Sequence, residues 1–199
     1  MPQKRKVSNL LALAVLSYLS RQPMHPYELS RTLKQHQDDR SIKFNPGSLY
    51  MVVEQLHKAG FVQELGTDRA GNRPERTTYQ ISDSGRTELY SWLKEIIETP
   101  QPEYPQFMTA LALIAALPPA EVLDLLGKRL IHLQEQHQQT VQYRTQTLQS
   151  GVHPLFLIEE DYRLVLLEAE IQFVRQFIPQ VREWQHPWEQ LQSENREKP

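Results

Sequence analysis

The side chains of this chain best suited to chemistry are hydrogen-bond donors and cations, not nucleophiles or metal ligands. There is no cysteine, which removes thiol catalysis, disulfides and Cys-based zinc sites. Of the seven histidines, His132 and His137 stand five apart, on different faces of any helix, and no His-Glu-x-x-His pattern occurs. Glu159-Glu160-Asp161 ahead of Arg163 suits the first turn of a helix, where the dipole favours acids, better than an acid/base pair. A Gly-rich phosphate loop and a nucleophile elbow are both missing, so no enzyme activity, cofactor or metal is expected. What remains suits the reading of a polyanion. Asn45, Ser48, Met51 and Gln55 lie on the polar side of one short helix pattern. Gln pairs well with adenine, Ser donates and accepts, and Met offers apolar contact. Arg69 and Arg73 sit in a polar loop with Arg76 just beyond it, while Lys4, Arg5 and Lys6 form a short basic arm. An ordinary solvated hairpin tip is the alternative for Arg69 and Arg73.

The elements around these residues follow from local signals. Ser8 to Leu19 reads as a helix, apolar nearly all round through Leu11, Ala12 and Val15, which implies burial on more than one side. That character points to a role of Leu11 and Val15 in dimer packing. A second helix starts at Pro26 and carries Tyr27, Leu29 and Leu33. Asn45-Pro46-Gly47 is a sharp helix start, with Asn as cap and Pro at the first helical position. Leu49, Val52, Val53, Leu56 and Ala59 then point inward until Gly60 ends the helix. Residues 61–65 and 77–81 read as strands around the turn-rich stretch 66–74, and Ser82 caps a helix running to Glu98. Helix, helix, capped helix, two strands around a basic loop, helix is the order of a winged helix-turn-helix, whose third helix enters the DNA major groove.

Pro100, Pro102 and Pro105 mark a linker, which predicts a winged domain over residues 1–98 and an all-helical domain over 104–190. The fold class is thus mainly α with a two-stranded wing. The helical half is expected to hold helices over about 107–117, 119–149 and 155–184, with a disordered charged tail at 191–199. The last helix has two apolar stripes. One is Ile158, Tyr162, Val165, Ala169 and Phe173; the other, Leu164, Leu167, Ile171, Val174 and Ile178, is assigned to dimerisation. Trp92, Tyr104, Phe107, Phe156, Tyr162 and Phe173 are the aromatic candidates for an effector pocket, against the plainer reading as core. The net charge of −2 hides a split: residues 1–82 hold twelve Lys/Arg against seven Asp/Glu, the remainder ten against seventeen. No apolar run approaches the roughly 20 residues that cross a bilayer. The expected partners are double-stranded DNA, a second copy of the chain and an unidentified effector, in the cytoplasm and without a membrane. An adaptor built on a winged helix that no longer binds DNA is the alternative.

Several stretches also resemble one family. His25-Pro26-Tyr27-Glu28-Leu29, Asn45-Pro46-Gly47-Ser48-Leu49-Tyr50, Leu56-His57-Lys58-Ala59-Gly60-Phe61-Val62 and the run from Pro74 to Arg86, leading into Leu89 and Trp92-Leu93, resemble the PadR family of bacterial transcriptional regulators. The match covers about residues 10–93. It departs from the usual pattern at Pro26 (usually Gly), Asn45 (usually Ser) and Met51 (usually Pro). The resemblance implies a winged-helix repressor, dimeric through C-terminal helices that also pack on the first helix, with Tyr27, Ser48 and Tyr50 near DNA.

Overall fold

The computed structural model describes residues 5–68 and 76–196 of the chain. It divides into two compact units, Met1–Pro102 and Glu103–Pro199. The first holds α1 (Leu10–Leu19), α2 (Pro26–Gln35), a 3-10 turn at Asp38–Arg40, α3 (Pro46–Lys58), β1 (Val62–Asp68), β2 (Arg76–Ile81) and α4 (Asp83–Glu98). The expected winged helix is therefore present, with a helical second half.

Five of the ten residues of α1 are buried, because the helix is surrounded within its own unit by α3, α4 and β2. Leu11 and Val15 have no exposed surface and belong to the core with Leu29, Leu33, Leu49, Val53 and Leu56. Of the apolar side chains of α1, Leu10 is the one left exposed; neither Leu11 nor Val15 is available to a partner, which corrects their assignment to a dimer interface. Burying each such side chain stabilises by about 1.5–3 kcal/mol, so this helix anchors the unit.

The strands pair antiparallel, from Val62 opposite Ile81 to Asp68 opposite Arg76, with a register shift between Glu64 and Gly66. Met24 adds a bridge to this hairpin through two 3.0 Å bonds with the Tyr79 backbone, tying the α1–α2 turn to the wing. The end of α3 is a Schellman turn. Phe61 N–H donates to the Leu56 carbonyl and Gly60 N–H to that of His57, with Gly60 at φ 81°. The Gly60 carbonyl then accepts from the Ser82 and Ser84 hydroxyls at 2.7 and 2.8 Å, which locks the start of α4 to the end of α3.

The second unit holds α5 (Gln106–Ala112), α6 (Pro119–Gln149) and α7 (Ile158–Arg196), with short 3-10 turns at Ile114–Ala116 and Pro154–Leu157. Helices α6 and α7 form an antiparallel hairpin around Val122, Leu126, Leu133, Ile171, Val174, Val181 and Trp188. Along α7 and the turn before it, Leu157, Glu160, Leu164, Leu167, Ile171, Val174, Ile178, Val181, Gln185 and Trp188 alternate at spacings of three and four. That is a heptad seam. The stripe Leu164, Leu167, Ile171, Val174 and Ile178 thus faces α6 of the same chain, with Val174 fully buried, and its assignment to a partner is corrected.

Helix α7 also runs further than expected. It contains Pro179 and Pro187 and includes residues 191–196, so those six residues are helix instead of a disordered tail. Both prolines are exposed, and the carbonyls they leave without a helical donor belong to the exposed residues Arg175 and Glu183, where water can replace the bond. Near the far end, Gln192 Nε2 donates to the Ala115 and Leu117 carbonyls at 2.7 and 2.8 Å, stapling the helix to the turn before α6.

Candidate nucleic-acid interface

Helix α3 is built to present its outer face. Asn45 Oδ1 accepts from the Ser48 N–H at 2.8 Å, and Ser48 Oγ accepts from the Asn45 N–H at 2.9 Å while donating to the Asn45 carbonyl. This reciprocal cap fixes where the helix begins. It also uses the Ser48 proton, so the hydroxyl keeps one free lone pair and no donor. Asn45 retains its Nδ2 donors. Leu49, Val52, Val53 and Leu56 are buried below, while Tyr50, Met51 and Gln55 are exposed above, Met51 to 59%.

Glu54 lies on the same outer face, a residue not anticipated from the sequence. Its carboxylate accepts from Lys58 Nζ at 2.6 Å, and that hydrogen bond and charge hold it below the usual carboxylate value. An ionised acid here repels phosphate but can accept from cytosine N4.

Tyr27 is exposed on α2 and lines one groove with Tyr50 and Pro46 of α3 and with Ser30, Arg31, Lys34 and Gln35 of α2. Edge-to-face contact with His25 positions Tyr50, and His25 in turn caps α2 by accepting from the Tyr27 N–H at 3.0 Å. At the wing base, Tyr79 packs edge-on to His57 and reaches Glu64 at 3.5 Å. Burial, then the Glu64 charge, pushes its phenol up. Arg69, Arg73, the Arg76 side chain and Lys4 lie outside the described residues, although the Arg76 backbone opens β2 opposite Asp68.

Arg5 does not belong to a free arm. Its guanidinium bonds Glu88 at 2.5 Å and also Glu95, lies over the Trp92 ring at 5.1 Å, and is 11% exposed. Burial opposes its charge, but the two carboxylates outweigh it and hold the guanidinium above its ordinary value. Its assignment to a phosphate is corrected: both partners lie on one face of α4, and the ion is spent on packing the N-terminal strand of chain.

The aromatic effector candidates are divided between the two units. Trp92 is buried in the first unit's core, beneath Arg5. Phe107 and Phe173 do meet edge-to-face at 6.3 Å, and the row continues through Phe177 to Trp184. Arg129, bonded to Glu170 at 2.6 Å, covers the Phe107 ring. Tyr162 is exposed on α7, eleven residues and roughly 16 Å of helix before Phe173. Tyr104 and Phe156 are exposed as well. Among the described residues no cluster of His, Asp and Glu is arranged to hold a metal ion, and no helix is long and apolar enough to cross a membrane.

Known proteins complete the picture. Residues 15–91 match the model of the transcriptional regulator PadR-like family. No curated protein matches the chain. Among solved structures, PadR of Bacillus subtilis in complex with operator DNA shares the fold with a TM-score of 0.70 at 20% identity, over 87% of this chain and 99% of that one. The same protein in complex with p-coumaric acid gives 0.69 at 20% identity, with the same coverage. A PadR-like transcriptional regulator of Bacillus cereus gives 0.60 at 13%, over 87% and 98%. At such identities the structural likeness speaks for the fold, and the matched segment, from within α1 to within α4, speaks for the family. On that match residues 15–91 of this chain are similar to the PadR-like family of transcriptional regulators.

Proposed function

We propose that this chain is a DNA-binding transcriptional repressor that occupies a palindromic operator as a homodimer and is released by a signal or small effector. The observation that carries the reading is α3: capped at Asn45, packed from below, and exposing Tyr50, Met51, Glu54 and Gln55 beside an antiparallel wing. In this role Gln55 reads adenine, Met51 meets a thymine methyl, and the wing residues Arg69, Arg73 and Arg76 grip the backbone. The likeness to a regulator solved with operator DNA supports the same use of the fold here.

The dimer is drawn through the other stripe of α7. Ile158, Tyr162, Val165, Leu166, Ala169 and Phe173 lie on the outer side of the hairpin and are exposed, Val165 to 60%. The outer positions of a helical hairpin are ordinarily charged, so an apolar row there calls for a cover. A second copy supplies one by two-fold symmetry, and two α3 helices about one DNA turn apart then match a palindrome. An effector releases DNA by favouring a dimer in which that spacing is wrong.

The test is titration of labelled duplexes from the region upstream of the gene, at 50 mM salt. Binding that prefers an inverted repeat, with Gln55→Ala relaxing one base pair by about 1–3 kcal/mol, supports the reading. No binding to any such duplex sinks it in favour of an adaptor.

A further inference from the structure

The groove between α2 and α3 has a composition that the recognition-helix reading leaves unused. Its volume is about 470 Å³, and its walls are the rings of Tyr27, Tyr50 and Pro46, with Ser30, Arg31, Lys34 and Gln35 along the α2 side. Tyr27, Arg31 and Lys34 follow at i, i+4 and i+7, which places them in one row on α2, roughly 10 Å long. Leu29 and Leu33 of the same helix are fully buried, so the row is the face turned away from the core. Arg31 and Lys34 are exposed and carry no hydrogen bond or ion pair among the described residues. The neighbouring carboxylate on this helix, Glu28, accepts from the His25 N–H at 3.1 Å as the second half of the α2 cap. Two free cations therefore stand over an aromatic slot whose opposite wall, Pro46, is the first residue of α3.

We infer that this groove is a seat for one strand of the DNA backbone, with deoxyribose against Tyr27, Pro46 and Tyr50 and the adjoining phosphates on Arg31 and Lys34. A sugar–phosphate strand alternates apolar faces with single negative charges, and the groove presents the complementary pair of surfaces. An apolar peptide would leave both cations unpaired against its surface, and a free anion would leave the rings idle. Because Pro46 and Tyr50 belong to α3, a strand seated here fixes how far α3 enters the major groove. Arg31 and Lys34 are thus positioning residues: they set register and affinity without reading sequence. This rests on the DNA-binding reading.

The experiment compares the full chain with Arg31→Ala, Lys34→Ala and the double variant, by fluorescence anisotropy on the preferred duplex and on a scrambled one. Salt is varied from 50 to 200 mM. Each lost phosphate contact removes about 0.9 from the slope of log affinity against log salt. Over that fourfold range a single variant should therefore lose about 3.5-fold less affinity than wild type, and the double variant about 12-fold less. At fixed salt the weakening should be equal on both duplexes, and Arg31→Lys should restore the slope. Circular dichroism must be unchanged, as expected for exposed side chains. Unaltered slopes in a wild type that binds DNA overturn the assignment alone, as does weakening confined to one sequence. A wild type that binds no duplex overturns the regulator reading and the assignment with it.

Discussion

Gly85 is the residue whose replacement most directly tests how the wing is joined to α4. A Cβ at this position would stand 2.0 Å from the Phe61 carbonyl oxygen and 2.8 Å from Ile81 Cγ1. Ordinary contact begins near 3.4 Å, so in Gly85→Ala the start of α4 must retreat by about 1.4 Å from a backbone atom that cannot swing aside. Three bonds hold it in place: Ser82 N–H to the Phe61 carbonyl at 3.0 Å, and the Ser82 and Ser84 hydroxyls to the Gly60 carbonyl at 2.7 and 2.8 Å. A shift of that size breaks all three. At about 0.5–1.5 kcal/mol net for each, the loss is about 3 kcal/mol. Alanine recovers about 1 kcal/mol of helix propensity, leaving a net destabilisation of about 2 kcal/mol. For a unit of about a hundred residues that lowers Tm by roughly 8–16 °C. Hydrogen-exchange mass spectrometry localises the effect: peptides from α3 and α4 should lose protection while those from α6 do not. A Tm that is unchanged or raised would show that α4 is free to move, and the close approach to Phe61 would then carry no weight.

Other outcomes follow from the same geometry. Asn45→Ala removes the side-chain half of the α3 cap and should cost about 1 kcal/mol, read by urea denaturation; Asn45→Ser should recover most of it. Val165→Glu on the outer stripe should give a monomer mass by light scattering with helix content intact. Leu167→Glu on the inner seam should instead lower helix content, and equal behaviour of the two would contradict the assignment of the stripes. Glu54 should titrate below 4.5 by NMR and return toward that value in Lys58→Met. Since its folded value is lowered, what Glu54 contributes is present above 4.5 and lost as pH falls through the folded value.

Local signals carried most of the first unit. Asn45-Pro46-Gly47 defines a helix start by its own chemistry, and the burial of Leu49, Val52, Val53 and Leu56 follows from spacing alone. Arg5 shows where such reading stops. Its partners Glu88 and Glu95 lie 83 and 90 residues away, and no local pattern distinguishes a basic arm in solvent from one folded onto α4. Leu11 and Val15 fail for a related reason. Periodicity says that a helix is covered on several sides without saying whether the cover belongs to the same chain. Ser48 reads from the sequence as a DNA-contact candidate, but a hydroxyl engaged with the α3 cap has little left for a base edge.

Helix α7 makes the case most sharply, because two apolar stripes were legible and only their allocation was at issue. The inner stripe keeps alternate spacings of three and four as far as Val181 and Trp188, past the point where Pro179 suggests a break. The outer stripe thins after Phe173, where only Phe177 and Trp184 continue its row. A seam that spans most of the helix matches a partner of comparable length, and α6 has 31 residues against the 39 of α7. A patch concentrated in the first half of α7 matches something shorter, crossing at one place. Period alone therefore assigns neither stripe, but persistence does. The stripe that survives two prolines is held by a covalently attached helix, since the freed carbonyls belong to the exposed residues Arg175 and Glu183 and the seam beneath is uninterrupted. The stripe that thins out is the one we propose a second copy of the chain covers.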